Sequence, residues 1–131
     1  EEPLVLEAVR ASRHHGVTEQ RGFFLVGHPG AETGALPHAP PREVRIPPDV
    51  LVTIDWGARL DGYCSDCTRT YATGEAIGDD ARAVYALVQR AQQAALEAVR
   101  PGPTGKEVDA VARDIIDAAG HGEHFGHGLG H

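Results

Sequence analysis

Two aspartates, Asp55 and Asp66, are the residues of this sequence whose spacing most directly suggests chemistry. Residues 50–56 are apolar and β-branched, residues 63–71 are rich in strand formers, and turn-forming residues lie between them. The sequence therefore predicts a β-hairpin with one aspartate on each strand. Because side chains alternate along a strand, both carboxylates are expected on the same face of the hairpin.

The length of the hairpin loop decides how close the two carboxylates come. A four-residue loop over residues 59–62 places Asp55 directly opposite Asp66, whereas a two-residue Asp61-Gly62 loop makes them diagonal neighbours. Directly opposed residues have Cβ atoms only about 4.5–5.5 Å apart, and like charges there are destabilising. Arg69 is expected on the other face, so a bound metal ion is the simplest compensating charge. The alternative is an ordinary hairpin with two separately hydrated carboxylates.

Histidines supply a second kind of metal-binding side chain. His127 and His131 stand in a C-terminal segment whose alternating glycines disfavour a helix, and in an extended chain they point the same way. His38 is flanked by prolines, which stiffen its loop and fix the direction of the imidazole. Carboxylates together with imidazoles match divalent ions such as Mn²⁺, Zn²⁺ or Co²⁺. A flexible polar tail is the alternative interpretation of the C-terminal segment.

Separate blocks of the sequence resemble the pita-bread metallopeptidases, which include Xaa-Pro aminopeptidases, prolidases and methionine aminopeptidases. The blocks are Leu36-Pro37-His38, Asp55-x-Gly57, Gly62-Tyr63-x-Ser65-Asp66-x-Thr68-Arg69-Thr70, Gly102-x-Thr104-Gly105-x-Glu107-Val108-Asp109 and His127-Gly-Leu-Gly-His131. The resemblance runs from about Gly22 to His131. It is strongest to the Xaa-Pro branch, in which a histidine precedes the metal-binding histidine by four residues, as His127 precedes His131.

The resemblance implies a role for each matching residue. Asp55 would chelate one metal ion with both oxygens, Asp66 would bridge two ions, and His131 would ligate the second. His38 and His127 would contact the substrate around the scissile bond and its developing charge. The implied cofactors are two divalent metal ions, with Mn²⁺ expected and Co²⁺ or Zn²⁺ as alternatives.

The function that the resemblance implies is metal-dependent hydrolysis of an N-terminal Xaa-Pro peptide bond. A methionine aminopeptidase and a non-catalytic pita-bread binding module are the alternatives. The family's two remaining metal ligands are glutamates that lie beyond the position of His131, so we expect the 131-residue chain alone to be inactive. The sequence contains no methionine, and we expect it to belong to a longer protein.

The elements around these residues follow from apolar spacing and from capping residues. The sequence predicts helices over residues 4–15, from Asp79 or Asp80 as cap to about Val99, and from a Thr104–Glu107 capping box to near Gly120, with a short strand over residues 23–26 and a turn-rich loop over residues 28–48. The predicted apolar stripes are Val84, Leu87, Val88, Ala91, Ala95 and Val99 on one helix, and Val108, Val111, Ala112, Ile115 and Ile116 on the next.

These elements predict an α+β fold in which helices cover one face of an antiparallel sheet. The face expected to meet the helices carries Val52, Ile54, Trp56, Tyr63, Cys67 and Tyr71, which would leave the carboxylates in a cleft. By resemblance the fold is a partial pita-bread (creatinase/aminopeptidase-like) fold, and residues 1–131 form one incomplete catalytic domain.

Composition narrows the partners and the location. A net charge of −7 without a basic run argues against nucleic acid, and no apolar run reaches the roughly 18–20 residues that span a membrane. Cys64 and Cys67 form a C-x-x-C pair, but odd spacing turns them opposite ways, so we interpret them as ordinary strand cysteines in a reducing cytoplasm. The expected partner is a peptide substrate, and a homodimer is an open alternative to a monomer.

The bridging role implied for Asp66 predicts that its loss affects metal binding more than the loss of Asp55. Asp66→Asn should loosen both ions, whereas Asp55→Asn should loosen one, because a bridging carboxylate touches two ions. Calorimetry or elemental analysis of the two variants in the complete protein measures this difference. Two tightly bound ions in Asp66→Asn would show that the bridging assignment is wrong.

Overall fold

The computed structural model describes residues 19–27 and 46–130 of the chain. It contains two compact units, one that runs through Ile77 and one that spans Gly78–Gly130, and each is described by itself. The first contributes an antiparallel sheet and the second two helices, which confirms the predicted mixture of strands and helices. The helix predicted over residues 4–15 and most of the loop predicted over residues 28–48 lie outside the described residues.

The sheet is built around one long central strand. Its strands are β1 (Glu19–Gly27), β2 (Leu51–Leu60), β3 (Tyr63–Cys64) and β4 (Cys67–Ala72). β2 pairs antiparallel with β1 on one side and with β3 and β4 on the other. The short strand predicted over residues 23–26 is confirmed, and it is longer at both ends than the sequence indicated.

A two-residue turn sets the register of the hairpin. Leu60 pairs with Tyr63, and the intervening Asp61 and Gly62 have φ angles of 50° and 89°. Positive φ at both central residues is the requirement of a type I′ turn, whose twist matches that of the flanking strands. The four-residue loop over residues 59–62 is therefore wrong, and the two-residue alternative is correct.

The predicted apolar face follows this register. Val52 pairs with Tyr71, so the two side chains lie on the same face as predicted. Val52 is buried, while the Tyr71 side chain is half exposed. The prediction that the helices cover this face stays a prediction.

The two helices begin with different capping arrangements. α1 (Asp79–Ala98) has Gly78 as its N-cap, without a side-chain hydrogen bond, and so the prediction that Asp79 or Asp80 caps it is wrong. Both aspartates already belong to the first turn, where negative charge is favourable near the helix N-terminus. α2 (Gly105–Ala118) has the predicted capping box. Glu107 N–H donates to Thr104 Oγ1 at 3.3 Å, and Thr104 N–H donates to Glu107 Oε2 at 2.7 Å.

Small side chains form the core of the helical unit. Ala91 and Ala95 of α1 pack with Ala112 and Ile116 of α2. The predicted α1 stripe is too wide, because Val84, Val88 and Val99 are 42%, 52% and 64% exposed in the part of the chain that the structure describes. The buried residues of α1 are instead Leu87, Ala91 and Ala95. The two alanines are small, so α2 packs closely against this narrow line of residues. The α2 stripe is confirmed in its centre, at Ala112 and Ile116.

Gly57 of β2 lies directly beside the backbone of Ser65. A Cβ atom at this position would lie 2.6 Å from the carbonyl oxygen of Ser65. Ser65 and Asp66 separate β3 from β4, which both pair with β2, and Ser65 N–H donates to the Ala58 carbonyl at 2.9 Å. Glycine is therefore required at position 57 for the segment that leads into Asp66 to lie against β2.

We expect Gly57→Ala to displace the Ser65 carbonyl and lower the free energy of unfolding by about 1–3 kcal/mol, as is usual for overpacking. Gly105→Ala is the matched control, because a Cβ there meets no atom within 4 Å and alanine favours the helix. Urea denaturation of both variants measures the difference. Equal stabilities would contradict the steric role of Gly57.

Candidate active site

Asp55 lies in β2 and is oriented by a neighbouring hydroxyl. It pairs with Thr68 of β4, and Thr68 Oγ1 donates to Asp55 Oδ1 at 2.9 Å. The side chain of Asp55 is half-buried. Metal-ligating carboxylates are commonly held by such hydrogen bonds, which fix their direction. Thr68 was part of the sequence pattern, but only the register gives it this role.

Asp66 lies in the interruption between β3 and β4 and is exposed. Because Thr68 is the residue opposite Asp55, Asp66 is a diagonal neighbour of Asp55. Diagonal neighbours lie about 7–8 Å apart, which is farther than directly opposed residues. The two residues therefore avoid direct opposition.

Three threonines of β2 and β4 lie on the same face as Asp55. Thr53 and Thr70 pair directly across the strands, and their hydroxyl oxygens are 2.9 Å apart. Thr68 and Asp55 continue the same face. Side chains that bond one another in this way hold a fixed polar surface, which suits the binding of an ion or a polar substrate.

His127 lies in the irregular segment that follows a short 3₁₀ helix over Gly122–His124. Its Nδ1 is 2.7 Å from the Gly128 carbonyl oxygen, and its ring meets the ring of Phe125 edge-on at 5.5 Å between centroids. Because a carbonyl oxygen only accepts hydrogen bonds, this contact assigns the proton to Nδ1. Nε2 of the exposed imidazole is then the nitrogen available to a substrate.

Two residues of α2 hold the segment that carries His127. Arg113 and Asp109 form a bidentate ion pair, with Nε to Oδ2 at 2.7 Å and Nη2 to Oδ1 at 3.0 Å. Arg113 also donates to the carbonyl oxygens of Phe125 and His127, each at 2.9 Å. Hydrogen bonds from Arg113 and from the Leu129 backbone lower the pKa of Asp109 to about 2. The sequence shows the i, i+4 spacing of this pair. It gave no indication that the pair bonds a segment 12 to 20 residues further along the chain.

The predicted metal ligands are only partly within the described residues. Asp55 and Asp66 are described, and their carboxylates are donors suited to a divalent ion. His131 and His38 lie outside the described residues. Over residues 19–27 and 46–130 there is no group of three or more His, Cys, Asp or Glu side chains placed to hold a metal ion. The ligand set Asp55, Asp66 and His131 and the roles of His38 and His127 stay predictions.

Cys64 and Cys67 are free and exposed thiols. Neither helix in the described part of the chain has the length and apolar character needed to cross a lipid bilayer.

The sequence profile of metallopeptidase family M24 matches residues 5–131. The chain therefore belongs to metallopeptidase family M24, whose chemistry uses divalent metal ions. The Xaa-Pro dipeptidase of Lactobacillus helveticus is 48% identical over 100 residues, which are 76% of this chain and 27% of that protein.

Solved structures give the same classification. The prolidase from Pyrococcus horikoshii OT3 matches with a TM-score of 0.86 and 35% identity, over 96% of this chain and 35% of that one. The Xaa-Pro dipeptidase from Bacillus anthracis matches with a TM-score of 0.82 and 40% identity, over 91% of this chain and 33% of that one. These matches confirm the predicted partial pita-bread fold. The chain spans about a third or less of the length of these relatives.

The lowered pKa of Asp109 predicts a specific loss of stability in acid. A carboxyl whose pKa falls from 3.8 to about 2 on folding stabilises the protein above pH 3.8, and this contribution disappears as the pH falls towards 2. The difference in unfolding free energy between the unmodified protein and Asp109→Asn should therefore be constant near neutral pH and shrink between pH 4 and 2. Urea titrations at a series of pH values measure it. A difference that stays constant down to pH 2 would contradict the assignment.

Proposed function

We propose that the protein carrying this chain is a metal-dependent peptidase that hydrolyses an N-terminal Xaa-Pro peptide bond. The observation that carries the proposal is the hydroxyl-oriented Asp55 with Asp66 as its diagonal neighbour, in a chain of family M24. Relatives described as Xaa-Pro dipeptidase and prolidase support the substrate class.

The proposed metal centre uses Asp55, Asp66 and His131 as ligands for two divalent ions, with Mn²⁺ as the expected metal. Oxygen and imidazole donors fit Mn²⁺, Co²⁺ and Zn²⁺. Divalent ions held there would supply Lewis acidity and would lower the pKa of a bound water molecule towards neutrality. Thr68 keeps the Asp55 carboxylate directed towards this site through its hydroxyl group.

His127 is proposed to contact the substrate, together with His38. With Nδ1 bonded to the Gly128 carbonyl, Nε2 accepts a hydrogen bond from a peptide N–H when the imidazole is neutral. When protonated, the same nitrogen donates to the oxyanion that develops on the scissile carbonyl. Loss of one such donor typically lowers the rate by about 10²–10³-fold.

Two further parts of the proposal concern the chain and its surroundings. The 131-residue chain alone is proposed to be inactive, because three protein ligands do not complete the coordination of two ions that each prefer about five or six donors. The free thiols of Cys64 and Cys67 support a reducing compartment, the cytoplasm.

We expect the complete protein to cleave Xaa-Pro peptides with a higher kcat/KM than Met-Ala peptides, because His127 precedes His131 by the spacing of the Xaa-Pro branch. Assays with Mn²⁺ on Xaa-Pro dipeptides, longer Xaa-Pro peptides and Met-Ala peptides measure the preference. The ratio between dipeptide and longer peptide separates a dipeptidase from an aminopeptidase. Faster cleavage of Met-Ala would place the protein in the methionine aminopeptidase branch, and metal binding without turnover would favour a binding module.

A further inference from the structure

The segment that carries His127 needs an external support to adopt one conformation. Its residues from Phe125 to Gly130 form neither helix nor strand, and every second one is a glycine. Glycine loses more conformational freedom on folding than any other residue. A displacement of a catalytic side chain by about 1 Å can lower the reaction rate about 10²-fold. Contacts that fix the segment are therefore expected to affect activity.

Hydrophobic contacts hold the segment on both sides of His127. Phe125 and Leu129 are partly buried and pack against the core cluster of Ala91, Ala95, Ala112 and Ile116. His127 stands between them and is exposed. The segment therefore lies against the core through its first and fifth residues and presents the imidazole to the outside.

Arg113 bonds the backbone of the segment at Phe125 and His127. Its Nη1 donates to the Phe125 carbonyl and its Nη2 to the His127 carbonyl, each at 2.9 Å. The guanidinium carbon also lies 4.4 Å from the centroid of the Phe125 ring, within the range of a cation–π interaction. A planar guanidinium can serve all these acceptors at once because its donors point in fixed, different directions.

Asp109 fixes both the guanidinium and the far side of the segment. Its Oδ1 accepts from the Leu129 backbone N–H at 2.6 Å, and both of its oxygens accept from Arg113. The two side chains thus bond the backbone on either side of the imidazole and at His127 itself.

We propose that Asp109 and Arg113 are positioning residues, which hold the backbone of residues 125–129 so that His127 Nε2 faces the substrate. They act through the backbone of that segment. The proposal rests on the proposed function of His127. It also differs from ordinary helix stabilisation, in which an i, i+4 pair supports only its own helix.

The chain contains a matched control for helix stabilisation. Gln93 Nε2 donates to Glu97 Oε1 at 2.8 Å, an i, i+4 contact on the exposed surface of α1. Arg113→Lys is the decisive variant, because lysine keeps the positive charge and can pair with Asp109. Its single ammonium group cannot reach the carboxylate and the carbonyls of Phe125 and His127 together.

The experiment compares Arg113→Lys, Asp109→Asn and Glu97→Gln in the complete protein loaded with Mn²⁺. Amide hydrogen exchange at Leu129, the unfolding midpoint, and kcat and KM for an Xaa-Pro peptide are measured. For Arg113→Lys we expect about tenfold faster exchange at Leu129 and a kcat lowered about 10- to 100-fold, with little change in KM or in the midpoint. Glu97→Gln should match the unmodified protein in every measurement. The double variant Asp109→Asn/Arg113→Lys should have a kcat no lower than that of Asp109→Asn, because the two residues act as a unit.

The proposal would be overturned if Arg113→Lys had the same hydrogen-exchange rate at Leu129 and the same kcat as Glu97→Gln. If Asp109→Asn does not fold, Arg113→Lys still decides. An unmodified protein that does not cleave Xaa-Pro peptides would refute the proposed function, whereas a fully active Arg113→Lys would refute only the positioning role.

Discussion

The two-residue turn at Asp61 and Gly62 determines the environment of every side chain in the hairpin. Its two positive φ angles match the twist of the strands and fix the register of β2 against β3 and β4. A shift of one residue would turn a whole strand over, since side chains alternate between faces. In the observed register Asp55 meets a hydroxyl donor on Thr68, and Val52 pairs with Tyr71 on the opposite face.

The interruption after β3 complements this regular pairing. Asp55 belongs to a continuous strand that is paired with neighbouring strands on both sides, so its backbone position is fixed by the sheet. Asp66 instead lies where the ladder breaks, and the close passage of the Ser65 carbonyl over Gly57 keeps that break beside β2. Breaks in strand pairing often redirect a side chain at a functional site. One carboxylate is thus held by the sheet and the other by a break in it.

In the helical unit, side chains rather than a sheet hold the segment that carries His127. Residues 125–130 have no regular hydrogen-bond ladder, so side chains from α2 satisfy their backbone groups. The alanine-rich core lets the two helices pack closely, and Phe125 and Leu129 extend that packing to the segment. The position of His127 on this segment therefore depends on contacts with α2 as well as on the local sequence.

The sequence alone determined the features that arise from local interactions. A hairpin turn within residues 59–62, the Thr104–Glu107 capping box and the approximate bounds of both helices follow from turn-residue preferences, i to i+3 hydrogen bonds and apolar periodicity. The family blocks are likewise readable from residue order. Only the tertiary structure chose between the two registers, gave Thr68 its bond to Asp55 and joined Asp109 to Leu129. These contacts link residues far apart in the chain, and local patterns do not encode which distant groups the folded backbone brings together.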